Sequence, residues 1–136
     1  MTTPDPTPLA PTHLYHALVT GVHDGDTFTA DVEVGLDIWV HGQRFRLAGL
    51  DAPELPTPEG EASLGALRQC LDHSASQVVL QAYRPATDLD KEKYGRWLAV
   101  VWARRNRGQG EQYNVNEWLV AQGWATGNRD VVGEAV

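Results

Sequence analysis

HALVTGVHDGDTFTADVEV, residues 16–34, alternates apolar and polar side chains on both sides of an Asp-Gly pair. Alternation with a period of two and many β-branched residues is typical of half-buried strands, and Asp-Gly between two such runs is typical of a hairpin. Residues 14–23 and 27–34 are therefore predicted to form two antiparallel strands. In the turn between them, we expect Asp24 to accept hydrogen bonds from nearby backbone amides and Gly25 to tolerate a positive φ.

Three more strands and two helices are predicted after this hairpin. The strands are residues 40–47, 78–83 and 97–102, and the helices are residues 57–73 and 115–123. In the first of these strands, a period of two places Phe45 and Leu47 on one face and Arg44 and Arg46 on the other. The second helix is predicted to be capped at its start by Asn116 and to end at Gly123. This order of elements predicts an α+β fold that is mainly β, a five-stranded Greek-key barrel of the OB type with two helices.

Length and composition indicate a single globular domain. A chain of 136 residues with 42% hydrophobic and 21% charged residues is long enough for one core and lacks an apolar run of membrane-spanning length. The segment MTTPDPTPLAPT has no basic residue and no apolar signal core, so we expect a flexible tail over residues 1–12 and one domain over residues 13–136. Without a signal peptide, and with Cys70 as its single cysteine, a cytoplasmic protein is predicted.

The charge balance restricts how the protein could bind a polyanion. The formal net charge is −7, which argues against nucleic-acid binding by broad electrostatic attraction. Any such ligand would have to be bound by local groups of basic residues, and three such groups occur in the sequence. They are Arg44 and Arg46, then Lys91, Lys93 and Arg96, then Arg104, Arg105 and Arg107.

Acids and arginines suited to phosphate chemistry recur in three separate stretches. DGDT (24–27) and RLAGLDAPE (46–54) supply carboxylates, whose oxygens are the ligands that hard cations such as Ca²⁺ prefer. RLAGLDAPE and KYGRWLAV (93–100) each supply an arginine, whose planar guanidinium matches phosphate oxygens. Taken singly, each residue also has a simpler interpretation as a turn residue, a helix cap or an exposed surface charge.

The order of these stretches resembles that of the thermonuclease family, typified by staphylococcal nuclease. The stretches are DGDT, FRLAGLDAPE, GEA at the start of a helix, KYGRWLAVV and VNEWLVAQGWA, which together extend from about Val22 to Ala125. The long segment ending in GLDIWVHGQ (35–43) is similar to phage-encoded and bacterial intracellular members. The resemblance implies an OB-fold nuclease that uses Ca²⁺ to hydrolyse DNA and RNA, leaving 3′-phosphate and 5′-hydroxyl ends. Its partners would be DNA or RNA and not a membrane, and we expect a monomer.

The resemblance also implies a role for nine residues. The metal ligands would be the carboxylates of Asp26 and Asp51 and the carbonyl oxygen of Ala52. The catalytic residues would be Glu54, which activates or orients the attacking water, and Arg46 and Arg96, which bind the phosphate. The supporting residues would be Asp24 and Thr27 near the metal and Tyr94 near the terminal phosphate of the substrate.

Two features depart from the family pattern. Only TGNRDVVGEAV (126–136) follows the motif at residues 115–125, so the third, C-terminal helix is expected to be reduced or absent, together with tyrosines that stack on the nucleotide base. The chain is also acidic, which predicts weak and salt-sensitive substrate binding. Two alternatives to the nuclease therefore stay open. The first is a catalytically silent OB module that binds nucleic acid or a protein partner in a larger assembly, and the second is a structural subunit that holds a metal for stability.

Overall fold

Nine strands and three helices make up the described part of the protein. A computed structural model describes residues 13–85, 96–128 and 132–135. The strands are β1 (Tyr15–Asp24), β2 (Thr27–Glu33), β3 (Trp39–Leu47), β4 (Leu50–Asp51), β5 (Gln77–Pro85), β6 (Trp97–Arg104), β7 (Gln112–Asn114), β8 (Thr126–Gly127) and β9 (Val132–Ala135). The helices are α1 (Pro58–His73), α2 (Arg105–Gly108) and α3 (Val115–Ala121).

The five long strands close into a barrel. Strand β1 pairs antiparallel with β2, β2 with β3, β5 with β6, and β5 with β1. The ring is completed by β3 and β6, which pair in parallel with Arg46 opposite Leu98. This is the predicted five-stranded Greek-key barrel of the OB type, and the prediction is confirmed. The predicted strand boundaries differ from the observed ones by no more than about two residues.

The barrel interior follows the alternation of each strand. Phe28 on β2 and Phe45 on β3 are directly opposite in the register, are both buried, and stack with ring centroids 5.4 Å apart. Leu47 is also fully buried, whereas Arg44 and Arg46 lie on the outer face, as the period of two predicts. Burying two Phe side chains contributes about 1.5–3 kcal/mol each. Packing of Phe45 and Leu47 in the barrel core therefore places Arg44 and Arg46 on the outer face of β3.

Helix α1 begins where its sequence signals predict. The hydroxyl of Thr57 accepts a hydrogen bond from the backbone N–H of Gly60 at 3.0 Å, and Pro58 occupies the first turn, where its missing N–H costs nothing. The helix packs mainly against β1 and buries Leu67, Leu71 and Cys70 beneath it. The one cysteine of the chain is therefore part of the core.

The start of α3 differs from the prediction. Asn114, not Asn116, is the N-cap, and its side chain accepts from the backbone N–H three residues later at 3.0 Å. Asn116 is buried and connects separate segments. Its amide nitrogen donates to the carbonyl oxygens of Ala48 and Ala99, each at 2.9 Å, and its amide oxygen accepts from the N–H of Val101 at 3.0 Å. The prediction was wrong because a cap and a buried amide cannot be distinguished from sequence alone.

Beyond α3 the described residues form strands and no further helix. Gly123 follows the helix with φ +80°, a left-handed conformation that suits glycine and ends the helix as predicted. The chain then forms β8, which pairs antiparallel with β4, and β9, which pairs with β5. The expected reduction of the third helix is thus confirmed for residues 122–128 and 132–135. The predicted tail, residues 1–12, lies outside the described residues, and none of the helices described is long and apolar enough to cross a bilayer.

Candidate active site

The DGDT turn joins β1 and β2 and is closed by its first aspartate. The carboxylate of Asp24 accepts a hydrogen bond from the backbone N–H of Asp26 at 3.0 Å, so Asp24 forms the side-chain turn that its sequence position predicts. The expectation for Gly25 was wrong, because its φ lies outside the left-handed region. The glycine is required for a different reason, which is the space available around it.

Gly25 lies against helix α1 and the segment after β4. A Cβ added to Gly25 would overlap the hydroxyl oxygen of Ser63 and would lie 2.7 Å from the Cβ of Ala52. Ser63 is fully buried in α1, and its hydroxyl makes no hydrogen bond with the residues described. The turn therefore approaches two other segments more closely than any larger residue would permit.

Asp26 connects this turn to the DAPE segment. One carboxylate oxygen of Asp26 accepts from the backbone N–H of Ala52 at 3.0 Å, and the other accepts from the hydroxyl of Thr27 at 3.1 Å. The backbone carbonyl of Asp26 accepts from the N–H of Leu47 at 2.8 Å. Three hydrogen bonds thus hold Asp26 between β2, the end of β3 and the residue after Asp51.

Burial and hydrogen bonding separate the acidities of the two aspartates in the turn. Burial raises the pKa of Asp26 to about 6, and the hydrogen-bonded neighbour Asp24 acts in the same direction. Burial also acts to raise the pKa of Asp24, but hydrogen bonds with Asp26 and Thr27 and the charge of Arg96 hold that pKa below its ordinary value. Asp26 is therefore a carboxylate whose negative charge is poorly compensated, the kind of group that a bound cation would stabilise.

Arg96 reaches the same place from the start of β6. Its guanidinium nitrogen Nη1 donates to the hydroxyl of Thr27 at 3.1 Å, and that hydroxyl in turn donates to Asp26. The contact spans 69 positions in the sequence. It depends on the parallel pairing of β3 with β6, which brings the start of β6 beside β2 and β3.

Arg46 lies at the end of β3 and contacts the loop that follows. Its Nη2 nitrogen donates to the carbonyl oxygen of Leu50 at 2.9 Å and forms an ion pair with the carboxylate of Asp51. The Arg46 side chain is 18% exposed, whereas that of Asp51 is 60% exposed. The loop after β3 therefore holds the mostly buried Arg46 side chain, while the Asp51 side chain is exposed to solvent.

Asp51 also contacts a residue that sequence reasoning did not single out. The side-chain nitrogen of Asn128 donates to the second carboxylate oxygen of Asp51 at 2.7 Å. Asn128 follows β8, the strand that pairs with β4. A lone Asn in a Gly-containing C-terminal segment has no spacing or motif from which this contact could have been predicted.

Glu54 is exposed, and its backbone is fixed by the start of α1. The Glu54 carbonyl accepts from both the hydroxyl and the N–H of Thr57, at 2.6 and 3.3 Å. A Cβ added to Gly60 would overlap this same carbonyl oxygen. The Glu54 carboxylate makes no hydrogen bond or ion pair with the described residues. The chain therefore holds the position of Glu54 but leaves its carboxylate accessible.

Most of the predicted site residues are connected by these contacts. Hydrogen bonds join one set, which is Asp24, Asp26, Thr27, Ala52 and Arg96. An ion pair joins a second set, Arg46 and Asp51, which is linked to the first by the peptide bond between Asp51 and Ala52. Glu54 is connected to them only through the backbone, three residues after Asp51. Tyr94 lies outside the described residues. In the described ranges, no three His, Cys, Asp or Glu side chains come together as a metal-binding group. The predicted ligand set contains two acids, Asp26 and Asp51, and one backbone carbonyl.

A family comparison covers most of this site. Residues 44–134, two thirds of the chain, match the family model described as staphylococcal nuclease homologue. The chain belongs to this family. The staphylococcal nuclease homologue match includes Arg46, Asp51, Glu54 and Arg96, whereas the DGDT turn lies before it. A search of curated proteins found no match. In the structure, the hydrogen bond from the N–H of Ala52 to Asp26 connects the DGDT turn to the matched region.

Replacing Gly25 with alanine is expected to destabilise the protein. The new methyl group would overlap Ser63 and Ala52, and overpacking of this kind typically costs about 1–3 kcal/mol. Urea denaturation of Gly25→Ala would measure the loss in the free energy of unfolding.

Gly65→Ala provides a matched control for this prediction. Gly65 lies in α1 with nothing within 4 Å of an added Cβ, so alanine there should stabilise the helix by about 0.5–1 kcal/mol. Equal stability of Gly25→Ala and wild type would contradict the close packing of the turn.

Proposed function

We propose that this protein is a metal-dependent nuclease that uses Ca²⁺ to hydrolyse phosphodiester bonds in DNA and RNA, leaving 3′-phosphate and 5′-hydroxyl ends. The observation that carries the proposal is the contact between three distant segments. The turn at Asp26 touches Ala52, Arg46 touches Asp51, and Arg96 touches Thr27. Membership of the staphylococcal nuclease homologue family supports a hydrolase acting on nucleic acid.

The oxygen atoms of Asp26, Asp51 and Ala52 are of the kind that calcium prefers, and this supports the proposed metal. Asp26 and Asp51 would bind the ion with the carbonyl oxygen of Ala52, and water or substrate oxygens would complete the six to eight ligands that Ca²⁺ prefers. Burial and the neighbouring Asp24 raise the pKa of Asp26, so a cation beside its carboxylate would be favourable, and each oxygen of Asp51 accepts one hydrogen bond while having more than one lone pair. When bound, Ca²⁺ would add positive charge beside the scissile phosphate and lower the pKa of nearby water.

The two arginines would bind the phosphate and stabilise charge that develops during reaction. A guanidinium presents five N–H donors in a plane and keeps its charge at any working pH. Arg46 is oriented by Leu50 and Asp51, and Arg96 is oriented by Thr27. Donors whose positions are fixed before the reaction need no reorganisation as negative charge gathers on the phosphoryl oxygens, which is why such groups contribute strongly to rate.

Glu54 would act as the general base. Its carboxylate would accept a proton from a water molecule as the oxygen of that water bonds to phosphorus. The bond between phosphorus and the 5′-oxygen breaks, and the departing oxygen takes a proton from solvent. An exposed carboxylate on a fixed backbone suits this role, because it can exchange protons with water between turnovers.

The net charge of the enzyme would affect how it binds its substrate in the cell. The substrate would be nucleic acid, the protein would act as a cytoplasmic monomer, and its net charge of −7 would make binding weak at high salt. The arginines of the site, together with Arg44 on the same face of β3, would supply the local attraction that the whole chain lacks.

Cleavage assays at low salt would test this function. Single-stranded and duplex DNA and RNA are incubated with Ca²⁺, Mg²⁺ or a chelator, and products are examined for their end groups. Cleavage that requires Ca²⁺ and leaves 3′-phosphates is expected. Nucleic-acid binding without cleavage in any metal would instead indicate a silent OB module, and Ca²⁺-dependent melting without binding or cleavage would indicate a structural metal site.

A further inference from the structure

The C-terminal segment returns to the DAPE loop through a small two-stranded sheet. Gly127 of β8 pairs with Leu50 of β4, and Thr126 pairs with Asp51. Just beyond β8, the backbone N–H of Asn128 donates to the carbonyl oxygen of Gly49 at 2.9 Å. This backbone bond does not depend on the side chain at position 128. It places that side chain next to the exposed carboxylate of Asp51.

Both oxygens of the Asp51 carboxylate are held by other residues. One forms the ion pair with Arg46, and the other accepts from the amide nitrogen of Asn128 at 2.7 Å. A carboxylate that is 60% exposed would otherwise rotate about its side-chain bonds. Hydrogen bonds to both oxygens fix the plane of the carboxylate as well as its position.

We propose that Asn128 is a positioning residue that orients the Asp51 carboxylate for calcium binding. This inference rests on the proposed function, since it concerns a ligand of the proposed metal site. An asparagine suits the role because its amide donates a hydrogen bond without adding a second positive charge to the one that Arg46 already places beside Asp51. Partners that orient metal ligands in this way are typically worth about 10- to 100-fold in metal affinity.

The role of Asn128 differs from that of Arg46, which holds the other oxygen. Arg46 is charged and would also contact the phosphate, so replacing it would disturb several functions at once. Asn128 contacts the carboxylate and the loop backbone, and we assign it no contact with substrate. Its loss should therefore change the calcium requirement of the enzyme and not its maximal rate.

Calcium titration of Asn128→Ala would test the inference without any substrate. Isothermal calorimetry is expected to show Ca²⁺ affinity lowered about tenfold relative to wild type, while the melting temperature in chelator stays close to wild type because the backbone bond to Gly49 remains. In cleavage assays, the Ca²⁺ concentration for half-maximal activity should rise by a similar factor, with kcat at saturating Ca²⁺ nearly unchanged.

Thr126→Ala is the matched control, since Thr126 is an exposed residue of β8, the strand that ends just before Asn128. It should leave Ca²⁺ affinity unchanged. Unchanged Ca²⁺ affinity in Asn128→Ala would overturn the positioning role, as would a loss of stability in chelator without a loss of affinity. If wild type itself binds no Ca²⁺, the proposed metal site fails and the inference fails with it, a result distinct from a wild type that binds Ca²⁺ and a variant that binds it equally well.

Discussion

Glutamine in place of Glu54 is expected to lower kcat for phosphodiester cleavage by about 10²- to 10⁴-fold, the usual range for losing a general base. The amide has nearly the shape of the carboxylate but cannot accept a proton from the attacking water. The Glu54 backbone is held by Thr57 and its side chain is exposed, so the substitution leaves the fold unchanged. Steady-state rates at saturating Ca²⁺ would measure the effect.

Glu59→Gln provides the matched control for this substitution. Glu59 is also exposed, lies in the first turn of α1 and carries the same charge five positions further along the chain. Its replacement should leave kcat close to that of wild type. A similar decrease in both variants would attribute the effect to net charge near the site, and undiminished cleavage by Glu54→Gln would exclude Glu54 as the base.

Alanine in place of Asn116 is expected to lower the free energy of unfolding by about 3 kcal/mol. The substitution removes three hydrogen bonds, two buried and one part-buried. It leaves two backbone groups without that partner, the N–H of Val101 and the carbonyl of Ala48, at about 1–3 kcal/mol each. The carbonyl of Ala99 keeps its bond from the N–H of Ala48 at 2.8 Å. For a domain of this size, the melting temperature should fall by roughly 10 °C.

Asn114→Ala separates this effect from the loss of a helix cap. Asn114 is the N-cap of α3, and caps of this type are typically worth about 1 kcal/mol. Thermal and urea denaturation of both variants should therefore rank Asn116→Ala as clearly the less stable. The opposite ranking would mean that Asn116 acts through the helix and not through the segments that it joins.

The long elements of the fold could be predicted because their patterns are local. Strands β1 and β2 alternate with a period of two, and the Thr57 cap and leucine spacing indicate α1. Strands β4, β7, β8 and β9 contain only two to four residues, which is too few for any periodicity. Strands β4, β8 and β9 exist because distant backbone segments pair, as Leu50 and Gly127 do, whereas β7 pairs with the preceding strand β6. The sequence pattern within so short a strand does not indicate which distant segment will pair with it.

The candidate site could be predicted in part, for a related reason. Arg46, Glu54 and Arg96 lie in motifs that resemble a known family. The match of residues 44–134 to the model of that family confirms the resemblance. The close approach of Gly25 to Ser63 and the bond from Asn128 to Asp51 depend on packing between segments with no motif of their own. The conformation of Gly25 was misjudged because the usual reason for a glycine in a turn, a positive φ, is not the reason here.

The parallel pairing of β3 with β6 determines when the site can appear during folding. Thr27 pairs with Arg46 across β2 and β3 and accepts a hydrogen bond from Arg96. Both contacts exist together only after the chain between Arg46 and Arg96, about fifty residues, has closed into a loop through the pairing of β3 with β6. Loops of that length close late because of their entropic cost. The hairpin of β1 and β2 needs no such closure, since its two strands are adjacent in sequence. Recovery of cleavage during refolding would therefore report the completion of the barrel, well after the turn that carries Asp24 and Asp26 has formed.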